Sequence, residues 1–372
     1  MIIDLDKKMS VRDISIFFYL LFTFTQQNYL IAQKNNLTIR TDFHYGYIIP
    51  EYKHFNFIVN KPIQSGEISL IKKNKDQNYW AKLYNYPETG LTLQFTSLGN
   101  KKVLGHELGL FPYVQFPFVR KNNFLLYNQF GIGIGYVTKK FDLATNYEDI
   151  SIGSHINVHF NFKLGLKWKL YEKIWLNSGV SFTHFSNANM AEPNLGINLL
   201  TAFVGLNYIV FPNTLQKELK IEPHQMKNEF AFIYAAGGKH TRALKSTVYF
   251  TSSASFEYKH HTFRKFHFGG GFDLSYDSST KTEMGIDGKK LYKPIYDYRT
   301  GFHVSQEIVY NRFSFILQEG FYIGLLDQVN KSIIYNRAIL RWKFTNHFIV
   351  HVSMRSHLHI LDYPELGLGY YF

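Results

Sequence analysis

The residues of this chain best placed to do chemistry are His184 and Ser186. They lie in the run Val180–Tyr208, VSFTHFSNANMAEPNLGINLLTAFVGLNY. In a strand, residues two apart share a face, so His184 and Ser186 line up with Val180 and Phe182, while Ser181, Thr183 and Phe185 point the other way. At a rise of about 3.3 Å per residue their Cα atoms are roughly 6.6 Å apart. Their side chains can then meet, and the imidazole can take the hydroxyl proton as general base. Such a pair needs a third group to fix the tautomer and orientation of the ring. A hairpin would bring Asn198 to it, because Asn198, Leu200, Ala202, Val204 and Leu206 form the matching face of the next strand. Both faces are apolar apart from these three residues. The polar groups would therefore sit at the edge of a membrane on the lipid side, where polarity is costly and suggests function. On spacing alone, two polar residues tolerated in an interfacial band remain the better-supported reading.

Other candidates are weaker. His357 and His359 share a strand face, and SHLHILDYPELGLG echoes THFSNANMAEPNLGIN, with His359 where Ser186 would stand. That suggests a duplicated half that has lost its chemistry, and with no third ligand in view a metal site is not expected. Lys259, His260 and His261 read as a polar strand end. Gly269, Gly270 and Gly271 mark close packing or a bend within a strand, not a phosphate loop. The chain has no Cys, which removes thiol catalysis, disulfides and thiolate metal sites.

The elements that must position His184 and Ser186 are strands. Aromatic residues make up 18% of the chain, with 35 Phe and 27 Tyr, and they alternate with polar residues over ten or so positions between polar turns. LTIRTDFHYGYI, GLTLQFTSLG and INVHFNFKLGLKWKL show the pattern before residue 212, and EFAFIYAAGG, STVYFTSSASFEY and HFIVHVSM show it after residue 227. This is the signature of a transmembrane barrel, whose tilted strands need about 9–11 residues each. The expectation is an all-β, closed antiparallel transmembrane β-barrel of roughly 14–16 strands. Residues 1–32 read as a signal peptide: the apolar run ISIFFYLLFTF follows Lys7, Lys8 and Arg12 and is too short to span a bilayer. Residues 33–372 would form the barrel. The stretch PNTLQKELKIEPHQMK could separate two eight-stranded barrels or serve as a long connection in one, and the single barrel is preferred, with 33–211 and 228–372 as its halves. The ending GLGYYF, with Gly367, Tyr370 and Phe372, resembles the terminal signal read by the outer-membrane assembly machinery. The formal charge of +13 would suggest nucleic acid for a cytosolic protein; for an exported one the polyanion to hand is the phosphorylated head group of lipopolysaccharide.

The run His184-Phe185-Ser186-Asn187-Ala188, followed by Pro193-Asn194-Leu195-Gly196-Ile197, resembles the active-site hairpin of PagL-type lipid A 3-O-deacylases, and the overall layout is similar to that of bacterial acyloxyacyl hydrolases. The resemblance to the smaller enzymes covers about residues 37–210. It implies His184 as base, Ser186 as nucleophile, and Asn187 and Asn194 as oxyanion stabilisers. The acidic residue of the family, twelve positions after the nucleophile, is Asn198 here; it would orient His184 without stabilising imidazolium by charge, and Glu192 is the alternative third member. The implied function is an outer-membrane serine esterase that removes an ester-linked acyl chain from lipid A, with no cofactor and no metal. Its partners would be lipopolysaccharide, the outer membrane and the barrel assembly machinery, and no nucleic acid. The rival is a non-enzymatic barrel, a channel, transporter or surface-binding protein, that keeps the hairpin as structure. A lumen crowded with Tyr, Arg and Glu would favour the enzyme.

Overall fold

The computed structural model describes residues 37–50, 55–73, 79–187, 191–211, 224–241, 247–289, 291–330, 332–357 and 360–372. The proposed signal peptide lies outside them. Eight strands, β1 (Leu37–Ile49), β2 (Ile63–Lys73), β3 (Glu88–Ser97), β4 (His106–Arg120), β5 (Phe124–Val137), β6 (Ile156–Lys169), β7 (Ile174–Ser186) and β8 (Ile197–Ile209), close into one antiparallel barrel. Eight more, β9 (Asn228–Lys239), β10 (Tyr249–His260), β11 (Phe266–Asp277), β12 (Tyr298–Tyr310), β13 (Phe313–Tyr322), β14 (Ile334–Lys343), β15 (Phe348–His357) and β16 (Ile360–Tyr371), close into a second. Among the described residues, no helix is long and apolar enough to cross a membrane.

The expected strand total holds, but the preference for a single barrel does not. Strand β8 returns to β1, with Thr38 opposite Ile209 and Ile49 opposite Asn198, and β16 closes on β9, with Gly367 opposite Ala235. Each ring therefore satisfies its own backbone donors and acceptors and leaves no edge. An eight-stranded ring is also narrow enough for side chains to fill. Two such rings are complete bodies, each closed by its own first and last strands.

Alternation along each strand sorts the side chains. In β1, Arg40, Asp42 and His44 are buried in the lumen while Phe43, Tyr45 and Tyr47 are exposed on the outer wall. In β9, Phe230, Phe232 and Tyr234 face out and Ala231, Ile233 and Ala235 face in. Exposed aromatics in continuous belts are expected of a wall that meets lipid. The first lumen is packed with paired charge. Arg40 reaches Asp42 and Glu67, both at 3.2 Å, and Lys163 reaches Asp42 at 3.1 Å and Glu67 at 2.5 Å. Asp42, His44 and Glu67 present ligand atoms within 4.8 Å of one another. The Lys163 ammonium already lies among them and supplies the positive charge a metal would bring. Above this network an apolar layer that includes Ile48, Leu98, Leu104, Val137, Phe185 and Leu199 fills the end with the longer connections.

Candidate active site

The hairpin of β7 and β8 sits at that same end. Ser181, Thr183 and Phe185 are buried on the inward face of β7, whereas Val180 on the outward face is 50% exposed. His184 and Ser186 share the parity of Val180 and so belong to the outer wall. The register sets His184 directly opposite Asn198, and on the other side Phe160 opposite His184 and Val158 opposite Ser186. Directly opposed strand residues bring their Cβ atoms within about 4.5–5.5 Å, close enough for short polar side chains to bond.

They do bond. His184 Nδ1 lies 2.7 Å from Asn198 Oδ1, and His184 Nε2 lies 3.0 Å from Ser186 Oγ. A carbonyl oxygen can only accept, so Nδ1 carries the proton and donates it to Asn198. That leaves Nε2 with a lone pair facing the Ser186 hydroxyl. This is the tautomer in which imidazole can remove a proton from serine. Asn198 thus occupies the orienting position, and Glu192 does not. The charged neighbours of Glu192 are His240 and Glu283 of the second barrel, and burial pushes its carboxyl up.

The connection after Ser186 folds back on itself. Asn187 donates its backbone N–H to Asn194 Oδ1 at 2.9 Å, and its side-chain amide donates to the Ala191 carbonyl at 2.7 Å. Because Asn194 Oδ1 accepts there, the rotamer of its amide is fixed, and Nδ2 has no partner among the described residues. Of the two asparagines expected to hold an oxyanion, Asn187 is engaged within its own loop through both its backbone and side-chain N–H groups. Ala188 lies outside the described residues.

Two contacts that sequence reasoning missed hold this loop over the imidazole. Ile152, in the β5–β6 connection, bridges to Asn194, and Gly196 donates its N–H to the Ser151 carbonyl at 3.1 Å. Gly196 has φ +73°, and a Cβ there would lie 2.9 Å from His184 Cε1. Glycine suits the position on both counts, since it tolerates positive φ and leaves room for the ring. Asp149 accepts the Ser151 backbone N–H at 3.2 Å and also the Ser151 hydroxyl. The signal for Gly196 was present in the quoted Pro193–Ile197 run; nothing in the sequence marked Asp149 or Ser151.

The remaining candidates do not gather. His357 is buried in the second lumen, its Nε2 3.1 Å from Asp327 and 2.9 Å from the Tyr322 hydroxyl, and His359 lies outside the described residues. Lys259 and His260 close β10, as the strand-end reading expects, and the partly buried Lys259 pairs with Glu229 and Glu307, at 3.0 and 3.2 Å. His260 bonds Asn228 on the exposed side, and His261 stacks on His267. A Cβ on Gly269 or Gly271 would meet the β10 backbone at 2.3 or 2.4 Å, so close strand packing accounts for both.

Residues 73–207 match the family model described as lipid A 3-O-deacylase (PagL), and residues 228–372 match the one described as acyloxyacyl hydrolase, C-terminal domain. No curated protein matches the chain. Among solved structures, the outer membrane enzyme PagL is 17% identical, covers 45% of this chain and 97% of its own, and has a TM-score of 0.33. Neisserial surface protein A is 9% identical, with coverages of 46% and 96% and a TM-score of 0.32. A mutant porin of Rh. blastica is 9% identical, with coverages of 91% and 99% and a TM-score of 0.18.

Proposed function

The chain is a member of the lipid A 3-O-deacylase (PagL) and acyloxyacyl hydrolase family, and on that premise we propose that it is an outer-membrane serine esterase acting on lipid A. The observation that carries the reading is the hydrogen-bonded line Asn198–His184–Ser186 on the outer wall of the first barrel. Ser186 Oγ attacks the ester carbonyl as its proton passes to His184 Nε2. The tetrahedral oxyanion forms within reach of the Asn194 amide, and one such donor is typically worth about 2.7–4 kcal/mol. His184 then returns the proton to the departing sugar alkoxide, leaving an acyl-serine. A water, deprotonated by His184, attacks this ester and releases the fatty acid. Asn198 keeps the ring in the productive tautomer throughout.

The placement suits a substrate that arrives sideways from the bilayer. Beside Ser186 the outer wall carries Val158 and Ile156, both exposed, against which an acyl chain can lie. Bacterial barrels place their longer connections outside the cell and their short turns in the periplasm. The triad lies at the long-connection end, with the outer leaflet where lipid A resides. The channel reading finds no support in lumens filled by Arg, Tyr and carboxylate side chains such as Arg40, Tyr127, Glu67, Arg337, Tyr335 and Glu257. The outward Phe372 and the glycine of the terminal strand, Gly367, fit recognition by the assembly machinery. Purified wild-type and Ser186→Ala proteins, incubated with lipid A in detergent, provide the test. Free fatty acid from the first and none from the second is expected; equal release, or none from either, overturns the reading.

A further inference from the structure

The lumen of the second barrel is unevenly charged along its length. Toward its long-connection end, Asp277, Asp327 and Asp362 surround Lys239 and Arg299 at 2.8–3.4 Å. At the short-turn end the balance reverses, around a cavity of about 450 Å³. Among the described residues its walls carry Lys227, Lys259, Arg312 and Lys343 beside two carboxylates, Glu229 and Glu307. Arg341, also in the wall, adds no surplus because Glu257 holds it through two bonds of 2.9 and 3.0 Å. Glu229 alone lies within 3.3 Å of Lys259, Lys343 and His261. Cations gathered around a partly enclosed cavity focus a positive potential that draws anions in.

The first barrel completes the cavity. Tyr79 and Trp80 of the short helix Tyr79–Leu83 stand in its wall. That helix is held in place by its neighbour Tyr84, whose hydroxyl donates to the Val309 carbonyl at 2.5 Å and whose ring packs on Tyr310 and under Lys265. The volume falls in the ~300–1,000 Å³ range of small-molecule sites. Lysine and arginine in this mixture offer both a mobile point charge and a planar donor fork, the combination used to hold phosphate.

We infer that this cavity binds a small phosphate-bearing anion, gripped by Lys259, Lys343 and Arg312 and walled on one side by Tyr79 and Trp80 of the first barrel. The same chemistry is offered by a free phosphate compound or by the head group of an anionic phospholipid in the leaflet on that side. Calorimetry on the full chain in zwitterionic detergent, with sodium pyrophosphate titrated at constant ionic strength, tests the first source. Reconstitution in nanodiscs of phosphatidylcholine with or without phosphatidylglycerol, read by thermal unfolding, tests the second. Arg312 is exposed and Lys343 partly so, so R312Q/K343Q leaves the barrel folded, as its heat-modifiable migration verifies. Saturable binding of either probe, weakened at least about tenfold by R312Q/K343Q and several-fold by Trp80→Ala, is expected. No saturable response to pyrophosphate together with no shift from phosphatidylglycerol overturns the inference, as does binding that the double substitution leaves intact. Neither readout depends on ester hydrolysis.

Discussion

The seventh and eighth strands of each barrel form comparable hairpins, and a histidine near the end of the seventh strand does opposite things in the two. His184 of β7 has the parity of exposed Val180 and turns to the outer wall, where it meets Asn198 and Ser186. His357 of β15 has the parity of buried His351, Ser353 and Arg355 and turns into the lumen, where Asp327 and Tyr322 bind it. A one-residue difference in strand parity moves a side chain to the other face of a sheet. The same residue type therefore meets a serine and an asparagine on the outer wall in one barrel and forms part of a buried ion pair in the other. The chemistry follows from the face and its neighbours; the similarity of the two hairpin sequences does not carry it.

Substituting each histidine in turn separates the two environments most sharply. His184→Ala or Ser186→Ala should lower deacylation by at least about a thousandfold, as loss of a triad member does. His357→Ala should leave the rate within about twofold and instead lower the unfolding temperature of the second barrel, because Asp327 loses a partner in the lumen. Initial rates on lipid A, beside heat-modifiable gel migration, separate the two effects. A rate loss in His357→Ala as large as that in His184→Ala would erase the distinction.

A step down in size is Gly196→Ala. With Cβ only 2.9 Å from His184 Cε1 and φ at +73°, the ring or the loop must shift. Misplacing a catalytic group by about 1 Å can cost on the order of a hundredfold, and kcat should carry the loss with KM little changed.

Asn198 should matter less. Asn198→Ala removes a neutral orienting bond worth about 1 kcal/mol, or roughly fivefold in rate. At 2.7 Å the asparagine already spans the gap, so the isosteric Asn198→Asp should add charge stabilisation of the imidazolium and raise kcat. The longer Glu would have to displace the ring.

The smallest effect is one of pH. Burial pushes the Asp149 carboxyl up to about 6, against the opposing bonds from Ser151, while an unfolded aspartate titrates near 3.9. Between those values the folded loop keeps a proton that the unfolded chain has lost, so its stability falls as pH rises from about 4 to 6 and is level above. Proteolysis of the β5–β6 connection should quicken over that window in wild type and stay flat in Asp149→Asn.

Much of the architecture was legible because strand alternation is written residue by residue: the outward aromatics, a strand total of roughly 14–16 and the shared face of His184, Ser186 and Asn198 all follow from a period of two. The number of barrels was not legible. One ring of sixteen strands and two of eight share the same alternation and the same turns, and closure is decided by pairing between β1 and β8, far apart in sequence. The partners of Lys259 and Asp149 were hidden for the same reason, since charge networks in a lumen join strands that sequence spacing does not relate. Gly196 stood in the sequence, but its contact with His184 exists only once the hairpin has folded.

If Ser186, activated by His184 on the outer wall of the first barrel, is the nucleophile, it should be the serine that reacts with an electrophile. A fluorophosphonate probe reacts with an activated serine and remains attached, so peptide mass spectrometry can locate it on the folded protein in detergent. The expected result is a single adduct on Ser186, absent from His184→Ala and unchanged in His357→Ala. No adduct on the folded protein, an adduct on another residue, or labelling of Ser186 that persists without His184 would contradict the claim.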